Sequence, residues 1–231
     1  MASFDPMFTW YRRRWLDLVA SIYIYNEHRG YTAIDEVLAG LRGHADPDFI
    51  AEIEQHRADE YKHYLMFKRW FQKRGQMPLF VDRTCGHIDR FIEIMFGRRI
   101  DDLDTPALVR DPRHFEKLCR VVSLTERRGY RQLEILLRHP VVLADRQLTK
   151  IYEIIREDEP RHWAPYEAWL KRNARREPSW WERIIDGFIH SELLVIKLPI
   201  LFLSAKLTRR AAWPDESDRR PHRSFVAAVA R

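Results

Sequence analysis

Apolar residues recur at three- and four-residue steps from about Phe8 to Leu41, with Trp15, Leu18, Val19, Ile22, Tyr23, Tyr25 and Ile34 on the repeating side. That spacing predicts one long amphipathic helix. Gly43 and the run Asp46, Pro47, Asp48 mark its stop and a restart, with Asp46 placed as N-cap before Pro47. The second helix runs to about Lys73 and ends at Gly75, with Pro78 beyond it. From Gln76 to about Pro112 the pattern is a long connection holding one short apolar segment, Ile88 to Phe96. A third helix is expected from about Arg113 to Arg138, stopping at His139 and Pro140, and a fourth from about Asp145 to Arg172. A fifth, more apolar stretch covers Ser179 to Lys206 and contains Pro199. It is too short and too interrupted to span a bilayer. It either packs on the body of the protein or, with Lys206, Arg209 and Arg210 following, touches a membrane surface through residues 190–210. The expected organisation is therefore a body over 1–175, an apolar C-terminal helix over 176–207 and a basic disordered tail over 208–231.

Polar residues break the apolar pattern at the middle of each long helix. Glu27 lies about 17 residues before the first turn and Glu60 about 15 after it, which puts both roughly 25 Å from that turn. They stand level across an antiparallel hairpin, and Glu126 and Glu159 do the same about the turn near Pro140 to Asp145. Beta-branched alternation is scarce, and the connection between hairpins is long enough to cross from one end to the other. The fold expected is all-α, a four-helix bundle with one long crossover connection and an extra C-terminal helix.

The two hairpins repeat each other at a constant offset of 99 residues. Glu27, Gly30 and Tyr31 recur as Glu126, Gly129 and Tyr130; Asp59, Glu60 and His63 recur as Asp158, Glu159 and His162; Trp70 recurs as Trp169. In each E-x-x-H the Glu and His fall on one helix face, so both reach the same point. One such pair is weak evidence of a site. Two pairs, each with a second Glu one hairpin away, supply four carboxylates and two imidazoles, the donor set that holds two metal ions.

This pattern, over about Phe8 to Arg172, resembles the di-iron carboxylate proteins of the ferritin-like superfamily, and the D-E-x-R-H string at Asp158 to His162 looks like the oxygen-activating hydroxylases and oxidases among them. By that resemblance Glu27 and Glu126 are terminal ligands, Glu60 and Glu159 bridging ligands, and His63 and His162 supply one imidazole per iron. Asp59 is expected to hold His162, and Asp158 to hold His63, through the other ring nitrogen. Tyr31 and Tyr130, one turn after the terminal glutamates, are expected to lean toward the same face, as hydrogen-bond partners of a ligand carboxylate, proton relays, radical sites or ordinary buried tyrosines. Gly30 and Gly129, repeated mid-helix, point either to close helix approach near the metals or to a shared ancestral half. Pro160, directly after Glu159, is expected to kink or bulge its helix. His28 points away round the helix, and His56, His87, His114 and His190 have no partner spacing and receive no role. The implied reaction is the oxidation of an unidentified organic substrate by O2 at two Fe ions, with manganese also fitting the donors. Flavin and nicotinamide motifs are absent from the sequence, so electrons are expected from a separate reductase. The alternatives are a rubrerythrin-like peroxidase, disfavoured by the lack of a C-x-x-C pair, and a non-catalytic iron-binding or ferroxidase protein.

Composition adds bounds. The chain has 231 residues, 45% of them hydrophobic, with eight Trp and only eight Gly, enough for a sizeable helical core. Its two cysteines, Cys85 and Cys119, have no metal or redox spacing, and the N-terminus lacks an apolar signal core. A cytoplasmic protein is expected, with peripheral contact at the inner face of a membrane left open. The net charge of +6 permits nucleic-acid contact, but Lys and Arg alternate with Asp and Glu along the helices, as on a solvated face. A homodimer remains open.

Overall fold

The computed structural model describes residues 6–81, 85–173 and 175–217. Among them the protein is all-α; its only extended pairing is an isolated antiparallel bridge between Leu79 and Arg209. Four long helices carry the structure: α1 (Pro6–Leu41), α2 (Pro47–Lys73), α5 (Pro112–Leu136) and α7 (Arg146–Arg172). Between them lie α3 (His87–Phe96), a single 3-10 turn (Ile100–Asp102), α4 (Thr105–Arg110) and α6 (Pro140–Leu143). After α7 come α8 (Trp180–Glu192), a π turn (Leu193–Lys197), α9 (Leu198–Leu203) and α10 (Pro214–Ser217).

Local chemistry sets the boundaries. Asp46, Asp104, Asp111 and Asp145 each accept a backbone N–H of the first turn that follows, at α2, α4, α5 and α7, satisfying donors the helix itself leaves open. α8 starts with a capping box in which Ser179 and Glu182 bond each other's backbone. α7 runs on through Pro160 and Pro165. Each proline removes one backbone donor without ending the helix.

α1 packs along α2, and α5 along α7, as two hairpins; α2 meets α7 between them, and α4 bridges α1 to α5. Two apolar clusters form, one at each end. The first gathers Leu41, Phe49, Ile53, Phe115, Cys119 and Leu170 around the α1–α2 turn. The second gathers Leu16, Phe67, Phe71, Leu133, Leu148 and Tyr152 around the opposite turn. The two turns therefore lie at opposite ends, and the mid-helix carboxylates fall in the belt between the clusters.

The apolar C-terminal stretch packs as well as exposes. Leu193, Leu198, Leu201 and Phe202 join Leu18, Ile22, Leu79 and Val81, while Trp181, Phe188, Val195, Ile200 and Leu203 stay on the surface. The single long helix expected there is divided by the π turn, which falls where Pro199 cannot donate to the turn before it. No helix among the described residues is long and apolar enough to cross a membrane. Of the expected tail, 208–217 are held against the body: Arg209 pairs with Asp17 at 2.6 Å, and Asp215 accepts from Tyr64 at 2.6 Å and from Lys68 at 2.9 Å. Charged partners on α1 and α2 fix this stretch, a signal that tail composition does not carry. Residues 218–231 lie outside the described residues.

Candidate metal centre

Glu27 stands on α1, Glu60 and His63 on α2, Glu126 on α5, and Glu159 and His162 on α7, each near the middle of its helix. The fold brings all six together. Donor atoms of Glu27, Glu60 and His63 lie within 4.8 Å of one another, and so do those of His56, Glu60, Glu126 and His162. Glu60 belongs to both groups. Glu159 borders the second, with Oε2 3.8 Å from His162 Nδ1.

The donors are close but not hydrogen-bonded. His63 Nδ1 is 3.3 Å from Glu27 Oε2, and His162 Nδ1 is 3.2 Å from Glu60 Oε1. Yet Nδ1 of His63 and of His162, Nε2 of His56, and Oε2 of Glu27 and of Glu159 are all buried without a hydrogen-bond partner. A buried polar atom left unpaired costs about 1–3 kcal/mol, so five of them aimed into one space need an explanation. Ligands at ~2.1 Å from one ion and at right angles to each other lie about 3 Å apart. The donor set and its spacing therefore fit metal ions shared through Glu60.

The outer nitrogens face aspartates across the hairpins, and that of His63 is held there. His63 Nε2 lies 2.9 Å from Asp158 Oδ2, and His162 Nε2 lies 3.8 Å from Asp59 Oδ2. The second contact is an ion-pair distance, not a hydrogen bond. Lys62 donates to both aspartates, at 2.7 Å to Asp59 and 2.5 Å to Asp158, and Arg161 also pairs with both. The aspartates so stay charged and fixed, which presents Nδ1 of each imidazole inward.

Charge is crowded here. Burial, then the Glu60 carboxylate, pushes Glu27 up to about 8 and Glu126 up to about 7; burial and Glu126 push Glu159 well up. Glu60 moves the opposite way: against burial, the adjacent His162 and His56 imidazoles hold it below the usual carboxylate range. His63 rises to about 9, burial being outweighed by Asp158 and Glu27. His56 falls to about 4, through burial and the adjacent His162. Three carboxylates pushed up by burial and by their neighbours, around a fourth held charged, are what divalent cations relieve.

Two expectations change. Tyr31 turns from the carboxylates into a cluster with Tyr61, Tyr64 and His28, under the Arg57 guanidinium, and Tyr130 packs on Trp163. One turn past its Glu, each tyrosine is rotated about 40° off the ligand direction, and its length carries the ring onto the flank. The tyrosine that does face Glu27 and Glu159 is Tyr23, one turn earlier, whose buried hydroxyl has no hydrogen-bond partner. His56, given no role from spacing, is fully inside the centre. Its position one turn before Glu60 on the same face of α2 was the available signal.

A cavity of about 70 Å³ reaches the centre. Ile34, Val37, Ile92, Leu103, Leu118 and Val122 line it, and His56, Glu126 and Tyr166 stand at its polar end. Glu126, with 19% of its side chain exposed, is the most open of the carboxylates. Comparison of the chain with family models, with curated proteins and with solved structures gives no match.

Proposed function

We propose that this protein is a ferritin-like di-iron oxidoreductase that uses O2 and externally supplied electrons to oxidise an apolar organic substrate. What supports the reading most is the set of five buried, unpartnered donor atoms converging on two positions that share Glu60. Glu27, Glu60 and His63 would hold one ion, and Glu60, Glu126 and His162 the other, with Glu159 completing the set. Two ferrous ions held there supply O2 reduction and substrate oxidation.

The chain's own residues do the rest. Asp158 fixes the His63 imidazole and Asp59 faces that of His162, and Lys62 and Arg161 keep those aspartates charged. The end clusters exclude water from above and below, which strengthens each electrostatic contact between them. The cavity favours an enzyme over an iron store. An apolar lining ending at Glu126 admits O2 or an apolar group, whereas iron transit calls for polar or acidic walls.

The test is metal content on protein from iron-supplemented cells, followed by anaerobic reduction and exposure to O2 under an optical spectrometer. Two irons per chain, with a transient absorbance that decays without mineral growth, are expected. Progressive ferric mineralisation would instead assign iron handling. Replacement of Glu60 and Glu159 together by Ala should remove the metal from a still-helical protein, and retention of two irons would refute the ligand set.

A further inference from the structure

The two halves are not equivalent at the metal centre. Moving His56 by the 99-residue offset of the repeat lands on Ile155, which is 1% exposed and packed in the apolar cluster at the far turn. A ligand set copied from half to half would contain two histidines. The structure brings in three, and the third is one that the repeat does not produce.

We infer that His56 is a ligand of the position formed by Glu60, Glu126 and His162, which makes the two metal positions chemically unequal. This rests on the di-metal reading above and extends it. His56 is 2% exposed, and its Nε2 lies 3.6 Å from Glu60 Oε1 and 3.9 Å from Glu126 Oε1. Neither carboxylate is aligned to accept from it, and Nε2 has no hydrogen-bond partner. The opposite nitrogen, Nδ1, sits 3.4 Å from the Tyr166 hydroxyl oxygen. A proton on Nδ1 directed at that oxygen leaves the Nε2 lone pair free toward the centre, the tautomer that a ligating imidazole requires. The ring is stacked on His162, centroids 4.2 Å apart and planes 23° apart, so the two imidazoles present nitrogens side by side to one point. A histidine that merely filled the core would have both nitrogens satisfied or would face apolar atoms. His56 does neither.

The consequence is selectivity between positions. Two imidazoles with Glu126 and the shared Glu60 make the His56 position nitrogen-rich, and Glu27, Glu60 and His63 make the other oxygen-rich. Imidazole favours the later first-row ions over carboxylate and water, so the His56 position takes Fe(II), Co(II) or Zn(II) first, and the Glu27 position accepts Mn(II) more readily. Stepwise loading follows, with a mixed-metal form accessible by order of addition.

Co(II) substitution of the intact chain tests this without reference to activity. In the proton NMR spectrum of the protein loaded with two Co(II), each ligating imidazole gives one strongly shifted, exchangeable N–H signal. Three are expected, one each from His56, His63 and His162; two would overturn the inference. Optical Co(II) titration should show two steps. In His56→Leu the tighter step should weaken by about 100-fold or more, and in His63→Leu the weaker step should fall instead. His56→Gln keeps the size and polarity and should behave as His56→Leu; unchanged titration in either His56 variant overturns the inference. A wild-type chain that binds no more than one Co(II) would sink the di-metal reading itself, an outcome distinct from two ions held by two imidazoles.

Discussion

His63 on α2 is held by Asp158 on α7, with Nε2 and Oδ2 2.9 Å apart, while the mirror contact from His162 to Asp59 is longer at 3.8 Å. Each histidine thus faces an aspartate of the half of the chain to which it does not belong. The shorter contact carries a real hydrogen bond and the longer one does not, so the two aspartates are unequal in effect. Asp158→Asn should lower metal affinity by about 10–100-fold, because the amide no longer fixes the tautomer through a charged acceptor. Asp59→Asn should cost less. Competition titration against a chelator gives the order, and equal losses would show that both contacts close to the same length on metal binding.

Gly30 and Gly129 occupy matching positions but face different neighbours. A methyl group on Gly30 would overlap Glu60 Oε2, whereas on Gly129 its nearest contact would be Glu159 Oε1 at 3.4 Å, an ordinary packing distance. Glu60 is long and flexible, so Gly30→Ala should displace the shared carboxylate without unfolding the helix. The expected result is a well-folded protein with metal content well below two per chain. Gly129→Ala should retain its metals and gain up to about 1 kcal/mol of stability from helix propensity. Metal analysis and thermal melts on the pair decide it; loss of metal from the Gly129 variant alone would reverse the assignment.

The sequence carried the four long helices and six of the donors because both signals are periodic. Apolar steps of three and four residues define a helix face, and the repeat at 99 residues picks out Glu27, Glu60, His63 and their counterparts from a chain rich in charge. What escaped was aperiodic. His56 has no counterpart across the repeat, although it shares a face of α2 with Glu60 and His63. Tyr31 was placed by rotation alone, which does not say where a long ring ends. The packing of 208–217 depends on Asp17, Tyr64 and Lys68, residues remote in sequence and ordinary in type.

Acid should weaken the fold through His87. This imidazole, 4% exposed, opens α3 and reaches Asp186 on α8 at 2.8 Å, where Arg128 of α5 also arrives at 3.2 Å. Burial, then the Arg128 charge, pushes it down to about 3 from an ordinary value of 6.5. Below that ordinary value the unfolded chain takes up a proton that the folded chain refuses. Stability from this group is therefore present above pH ~6.5 and is lost as the pH falls toward ~3. Asp186, held low by His87 and Arg128 against burial, adds to the loss at lower pH. His87→Gln keeps a neutral donor that does not titrate. It should match the wild type within about 1 kcal/mol at pH 7 and lose less between pH 6.5 and 4, a difference on the order of a few kcal/mol. Urea midpoints at pH 7, 5 and 4 measure it, and parallel curves for the two proteins would remove His87 as the cause.

Glu182 ties α8 to the body in two ways at once. Its backbone and side chain form the capping box with Ser179, and one carboxylate oxygen accepts from Arg120 Nε of α5 at 2.9 Å. Arg120 is 3% exposed, and its other partner is Glu116 at 2.5 Å. Ser179→Ala removes a cap and should cost about 1 kcal/mol. Glu182→Ala removes the cap's second bond and leaves a buried guanidinium short of a partner, which should cost about 3–5 kcal/mol. The difference separates capping from charge burial. Replacing both members, with Arg120→Met and Glu182→Leu, should recover most of the loss, since no buried charge is then left unpaired. If the double variant is instead as unstable as Glu182→Ala, the docking of α8 depends on the polar contact itself. Acid unfolding should then begin at a higher pH in that variant as well, because α8 also carries Asp186, the partner of His87.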